Sequence, residues 1–348
     1  MKRLIKYGAL LFALVLSASI IGGCLMAGVS VVRMIVDKTS ENGTDNSTGD
    51  WWYWDGDGKL VFSIGNRKVV TSSEVKSGSE QFSVAEVNSL DIDIGSVELV
   101  VEAWDKDEIF VEYENVPVEY KFFVKDNTLV INREGNINFV WNVDLTEAPR
   151  IHVSVPATKT FEKVKLDKGS GSGKISGLQA DKFYVDNGSG GVSISDCTIG
   201  KSDFNSGSGS FVVKNCSLGV ATMDSGSGSV ILEDIIATDL RTDAGSGRTE
   251  VSGVLTGQCE FESGSGSLSV VVYGKEEDYN YRTDMGSGSF YLNGRKKDKD
   301  YNKRNDNAEH MLVFDAGSGR VSLDFDEDKT LSIDNVSDNS ENGGSYER

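Results

Sequence analysis

Residues 224–230 read DSGSGSV. In isolation Gly226-Ser227-Gly228-Ser229 has the composition of a flexible linker. The chain, however, carries such tetrads with first glycines at 169, 188, 207, 226, 245, 264, 286 and 317, at intervals of 19, 19, 19, 19, 19, 22 and 31. Five identical steps mark a structural period rather than a set of linkers. Three residues before each first glycine stand Leu166, Val185, Phe204, Met223, Thr242, Phe261, Thr283 and Phe314. Five before it stand Val164, Phe183, Ser202, Ala221, Leu240, Cys259, Tyr281 and Leu312. Six after it stand Ile175, Ile194, Val213, Leu232, Val251, Val270, Leu292 and Leu323. Each copy therefore reads as an alternating strand, a Gly-Ser-Gly corner and a second alternating strand.

One copy cannot fold alone. It offers about five core side chains, too few to offset ordering 19 residues at roughly 1.5 kcal/mol each. Stacked copies share their apolar faces and pair their backbones. The expected fold class is all-β, a parallel β-solenoid with 19-residue rungs, preceded by one N-terminal transmembrane helix.

Outward from the repeats, organisation is read from composition. Residues 1–7 hold Lys2, Arg3 and Lys6, and residues 8–32 run 25 positions without a charge. That length spans a bilayer, and the basic flank keeps the N-terminus cytoplasmic. An alternative is a lipoprotein signal, because Ile21-Gly22-Gly23-Cys24 resembles a lipobox with Cys24 as the lipidated residue; the apolar run continues past Cys24, where polar chain normally follows. Residues 33–50 read as a polar stalk. Residues 51–81 open with Trp51-Trp52-Tyr53-Trp54 and read as an aromatic hairpin and linker. Residues 82–160 form irregular β rungs or a capping β region; the 74 residues from Gly95 to Gly169 are close to four rungs. The regular repeats occupy 161–325, with a solvated insertion loop at 293–310, and 326–348 is an acidic tail.

Among the 348 residues, 35 Lys and Arg face 54 Asp and Glu, a net charge of −19. Such an excess repels phosphate backbones and excludes nucleic acid as a general partner. Two histidines, His152 and His310, leave little material for a zinc centre or a Ser-His-Asp triad. Phosphate-loop spacing also fails, because Lys168 stands where the first glycine is needed ahead of Gly173-Lys174. No cofactor is expected. Cys197 and Cys216 are 19 apart and share a column with Leu178, Ile235 and Val254, which suits buried free thiols better than a bridge.

One column invites chemistry. Two positions before each tetrad stand Asp167, Asp186, Asn205, Asp224, Asp243, Glu262, Asp284 and Asp315. Stacked, they form a carboxylate ladder with about 4.8 Å between rungs. The acids are weak cation-ladder candidates, since one carboxylate per rung under-supplies a calcium cage. A polysaccharide-lyase cleft lacks basic partners there. The simplest role is a turn cap accepting the amides of the following corner.

The run from Ser89 to Phe325, with Ile92-Asp93-Ile94-Gly95-Ser96-Val97-Glu98-Leu99, Ile151-His152-Val153-Ser154-Val155-Pro156 and the repeats, resembles the bacterial putative-adhesin β-strand-repeat family, a domain-of-unknown-function family. The resemblance implies an exported, often membrane-tethered β-repeat protein and carries over no catalytic residues. The chain is thus expected at the cell membrane, single-pass, with its bulk extracytoplasmic. There it would bind or scaffold without catalysis, meeting the lipid bilayer through its helix and cell-wall polymer, glycan or envelope-stress membrane proteins through its body. An accessory sensor of envelope stress is the alternative, and a polysaccharide-active enzyme a more distant one.

Overall fold

A computed structural model describes residues 51–54, 60–64, 67–70, 75–133 and 148–331. The apolar segment 8–32, Cys24, the stalk, and most of the acidic tail lie outside the described residues. Among those described, no helix is long and apolar enough to cross a membrane. Trp51–Trp54, Leu60–Ile64 and Arg67–Val70 form a three-stranded sheet of their own.

Between Val75 and Asp326 the described residues are all-β and solenoid-like, 25 strands joined in one continuous sheet. Its body comes directly from the 19-residue period. Leu166 pairs with Val185, Val185 with Phe204, and Phe204 with Met223, each in parallel register. After the corner, Ile175 pairs with Ile194, Ile194 with Val213, and Val213 with Leu232. All residues of the three columns read from the sequence are buried. Rings stack along them: Phe183 meets Phe204 edge-on at 5.7 Å, and Phe261 lies flat on Phe314 at 5.0 Å. Each such pair adds about 0.5–1.5 kcal/mol beyond the area it buries.

A second corner closes each rung. Gly177, Asp196, Asn215 and Asp234 occupy it with φ of 73°, 57°, 53° and 55°. Gly, Asn and Asp are the residues that tolerate this left-handed conformation. They immediately precede Leu178, Cys197, Cys216 and Ile235, which turn into the core. Cys197 and Cys216 are free thiols, and each Sγ donates to a carbonyl two residues back at 3.1 Å.

The copies do not stack in chain order throughout. Phe261 pairs with Phe314, and Phe314 with Thr283. Val270 likewise pairs with Leu323, and Leu323 with Leu292. The Gly317 rung, last in sequence, thus sits between the Gly264 and Gly286 rungs. The chain travels outward to build the end rung and then returns to fill the gap it left. Segment 293–310, expected as a solvated loop, supplies the edge cover. Asn302–Lys303 pairs antiparallel with Tyr281–Arg282, and Arg295–Lys296 with Tyr291–Leu292. Tyr301 stacks on Tyr281 at 6.0 Å.

The opposite end differs from the four-rung expectation as well. Ile92 pairs directly with Leu166, and Gly169 stands against the Gly95 carbonyl, so 74 residues make one rung step plus an excursion. The excursion pairs Tyr120–Lys125 antiparallel with Thr128–Arg133, and its strand Ile109–Pro117 takes Val75–Phe82, from ahead of the Gly95 corner, as an antiparallel partner. Both ends therefore finish in short antiparallel ribbons. These blunt the open strand edges that would otherwise template aggregation.

Candidate functional site: the glycine-serine edge

From the Gly207 corner onward the serine amide donates to the neighbouring rung, while at the Gly188 corner the Gly190 amide does so, to Gly169 O at 3.2 Å. Ser227 N–H reaches Gly207 O at 3.2 Å, Ser246 reaches Gly226 at 3.1 Å, and Ser265 reaches Gly245 at 3.0 Å. Ser318 then reaches Gly264 at 2.9 Å and Ser287 reaches Gly317 at 2.8 Å, following the exchanged order. With these corner amides aimed along the stack, the serine side chains are left to point outward. Ser96, Ser170, Ser189, Ser208, Ser227, Ser246, Ser265, Ser318 and Ser287 line up exposed in that spatial order, about 4.8 Å apart. Neighbouring hydroxyls touch where spacing allows, Ser96 to Ser170 at 2.9 Å and Ser287 to Ser318 at 3.0 Å.

The same hydrogen bonds correct the turn-cap reading of the acids. The Gly226 N–H donates to Ser206 O at 3.0 Å, so Asp224 has no corner amide to accept. The carboxylates instead form an outward ladder beside the serines. Asp93, missed in the sequence, pairs with Asp167, followed by Asp186, Asn205, Asp224, Asp243, Glu262, Asp315 and Asp284. Among the described residues no three His, Cys, Asp or Glu side chains converge as a metal site. Partial burial, then the charges of Asp93 and Asp186, raise the carboxyl of Asp167 above its ordinary range. Partial burial and Asp243 do the same to Asp224, partly offset by Arg241, which holds Glu262 at 2.8 Å.

A carboxyl whose folded pKa is raised costs stability above that pKa and costs nothing below its unfolded value near 3.8. Asp224→Asn should therefore stabilise the fold by roughly 0.2–1 kcal/mol at pH 7, the scale of a like-charge cross-strand pair at an exposed position. Urea melts across pH should show that gain shrinking as pH falls toward 4. A variant less stable than wild type at pH 7 would show that Asp224 has a favourable partner.

The other flank of the serine ladder carries a different chemistry. Three residues after the first glycine stand Ser172, Gly191, Ser210 and Ser229, and then Arg248, Ser267, Arg320 and Ser289 in spatial order. The two arginines fall on the last four rungs, where Lys296 and Lys299 of the end cover join them. Together with the serines and glycines of those rungs they line an open groove of about 820 Å3. Arg248 is held by Glu250. Arg320 lies over the Tyr291 ring at 4.3 Å and donates to its hydroxyl at 3.0 Å. Lys299 Nζ donates to Gly286 O at 2.8 Å. The exchanged rung order builds this cluster, because it brings Arg320 to within two rungs of Arg248. No histidine approaches it: His152 pairs with Glu102 at 2.9 Å, and His310 accepts from the Gly257 amide at 3.3 Å. The groove offers hydroxyl donors and fixed cations, a binding chemistry without a nucleophile-base pair.

No curated protein matches the chain. Among the solved structures to which the chain is similar are three, each at low identity. One is of a "putative adhesin" from Bacteroides fragilis, 16% identical, covering 72% of this chain and 98% of its own, with a TM-score of 0.43. Another is of a "putative lipid binding protein" from Parabacteroides distasonis, 17% identical, covering 71% and 96%, with a TM-score of 0.45. The third, a "putative adhesin" from Parabacteroides merdae, is 15% identical and covers 72% and 97% with a TM-score of 0.43. The family model described as Toastrack DUF4097 matches residues 87–324, from the strand before the Gly95 corner to the last strand of the Gly317 rung, and the chain belongs to that family.

Proposed function

We propose that this chain is a non-enzymatic, membrane-anchored protein of the cell surface, whose body is a parallel β-solenoid used as a rigid spine. Its working surface is the glycine-serine edge, which binds or scaffolds an extended cell-envelope polymer. The observation that carries this reading is the row of nine outward serines held in register by backbone hydrogen bonds. A ligand built from repeating units meets the same hydroxyl at every rung, so many weak contacts add along one rigid line. The 25 uncharged residues 8–32 behind Lys2, Arg3 and Lys6 support the anchoring, with the body extracytoplasmic.

The test is retention of the purified full-length chain on isolated cell-wall polymer and on neutral glycan resins, against an unrelated β-sheet protein of similar charge. Retention above that control is expected, with at least a tenfold loss for the triple variant Ser189→Ala/Ser208→Ala/Ser227→Ala. Retention equal to the control, or unchanged in the triple variant, would overturn the assignment of this edge.

A further inference from the structure

Within a chain of net charge −19, four cations gather on one groove that no acidic side chain lines. We infer that this groove, bounded by Arg248, Arg320, Lys296 and Lys299, is the docking point for a phosphate-bearing polyol or glycan chain. The inference rests on the proposal that the glycine-serine edge binds polymer, and it names the chemistry at one end of that edge.

Geometry selects phosphate over carboxylate. Arg248 and Arg320 occupy the same column two rungs apart, a separation of about 9.6 Å at the strand spacing. Each guanidinium has five N–H donors, of which Glu250 and the Tyr291 hydroxyl engage only part, leaving further donors free to face the groove. Ser267 lies between the two arginines and Ser289 beyond them, so each cation has a hydroxyl donor beside it. A phosphate group is tetrahedral, so its oxygens meet a guanidinium fork, an ammonium and a hydroxyl from different directions, whereas the two oxygens of a carboxylate lie in one plane. The carboxylate ladder runs along the opposite flank of the serines. A polyanion entering the groove is therefore confined to the cationic side and directed along the rungs. Arg320 already covers the face of Tyr291, which takes that ring out of reach of a stacking base. This disfavours a nucleic acid strand, whose affinity would draw on stacking.

The experiment is fluorescence anisotropy of the full-length chain with three probes of matched length: inorganic polyphosphate, poly-glutamate and single-stranded DNA, at 50 and 300 mM salt. Expected are saturable binding of polyphosphate, at least tenfold tighter than either other probe, and a marked weakening at high salt. Arg248→Gln/Arg320→Gln should weaken polyphosphate by tenfold or more, with the circular dichroism spectrum and melting temperature unchanged. Lys174→Gln, far along the stack, should leave it unaltered. Equal binding of poly-glutamate would overturn the phosphate assignment, and equal or tighter DNA binding would replace the polymer class by nucleic acid. Polyphosphate affinity unchanged in the double arginine variant would overturn the site. If polyphosphate fails while neutral polymer is still retained in a serine-dependent way, the groove is refuted and the edge proposal stands.

Discussion

Gly247→Ala should collapse the stack locally, with a loss on the order of 3–5 kcal/mol of unfolding free energy in denaturant melts, at the upper end of what overpacking costs. A methyl group at Gly247 would overlap the Gly228 carbonyl oxygen of the adjacent rung. The same holds for Gly190, Gly209, Gly228, Gly266, Gly288 and Gly319, each of which faces the carbonyl of the equivalent glycine one rung away, and for Gly171, which faces the Val97 carbonyl. That oxygen belongs to backbone fixed by parallel pairing on both sides, so it has nowhere to move. The glycines are needed for close approach between rungs, and the corner itself does not place them at positive φ. Gly191→Ala, one residue outside the equivalent corner, is the control. Its added methyl meets nothing within 4 Å, and the change should alter stability by no more than about 1 kcal/mol, in the stabilising direction. If Gly247→Ala melts like wild type, the stack is looser than its hydrogen bonds indicate.

The second large effect belongs to Lys168. Its side chain is 1% exposed and turned beneath the Gly169–Ser172 corner, where the ammonium donates to the Gly171 carbonyl. Burial pulls its pKa from 10.5 down to about 8, and no carboxylate compensates. A lysine with a depressed folded pKa penalises the fold fully below that pKa. The penalty fades as pH rises from about 8 toward 10.5. Lys168→Met keeps the length and apolar volume and removes the charge, at the cost of one hydrogen bond to Gly171. The variant should be more stable than wild type by roughly 1–3 kcal/mol at pH 7. That advantage should shrink steadily above pH 8 and vanish only as pH passes 10.5. Only the difference between the two proteins isolates Lys168, because Cys259 and Tyr279, pushed by burial up to about 11 and about 12, titrate in the alkaline range and lower stability there in both. A pH-independent difference would mean that the ammonium is never desolvated.

What the sequence made legible follows from where periodicity acts. The inward columns from Val164 to Leu323 could be read at once, since burial at fixed spacing is the signal a repeat transmits. The second corner was equally present in the chain, as Gly177, Asp196, Asn215 and Asp234 at 19-residue steps, and its left-handed residues are the recognisable mark. Rung order was not legible. Intervals of 22 and 31 look like two ordinary insertions, and nothing local says that Phe261 prefers Phe314 to Thr283 as its neighbour. Ring-on-ring stacking is the physical reason the exchange is favourable there. Lys168 was hidden for another reason. It occupies an inward column shared with Asn187, Ser206 and Ser263, yet a lysine is ordinarily assigned to solvent. The cationic groove depends on rung order, and so it became visible only with the fold.

The exchanged rung also shapes how the molecule is made. During synthesis the strands Tyr279–Met285 and Ser289–Leu292 emerge before the strands that will separate them from the growing stack. Until His310–Ala316 and Arg320–Asp326 leave the ribosome, the nascent body presents an unfilled slot beside Gln258–Ser263 and Ser267–Tyr273. A chain interrupted anywhere between residues 293 and 309 would lack an interior layer rather than a dispensable end, and would expose two bare strand edges at once. Completion of translation is thereby coupled to closure of the particle, which makes an unfinished copy readily distinguishable by proteases from a finished one.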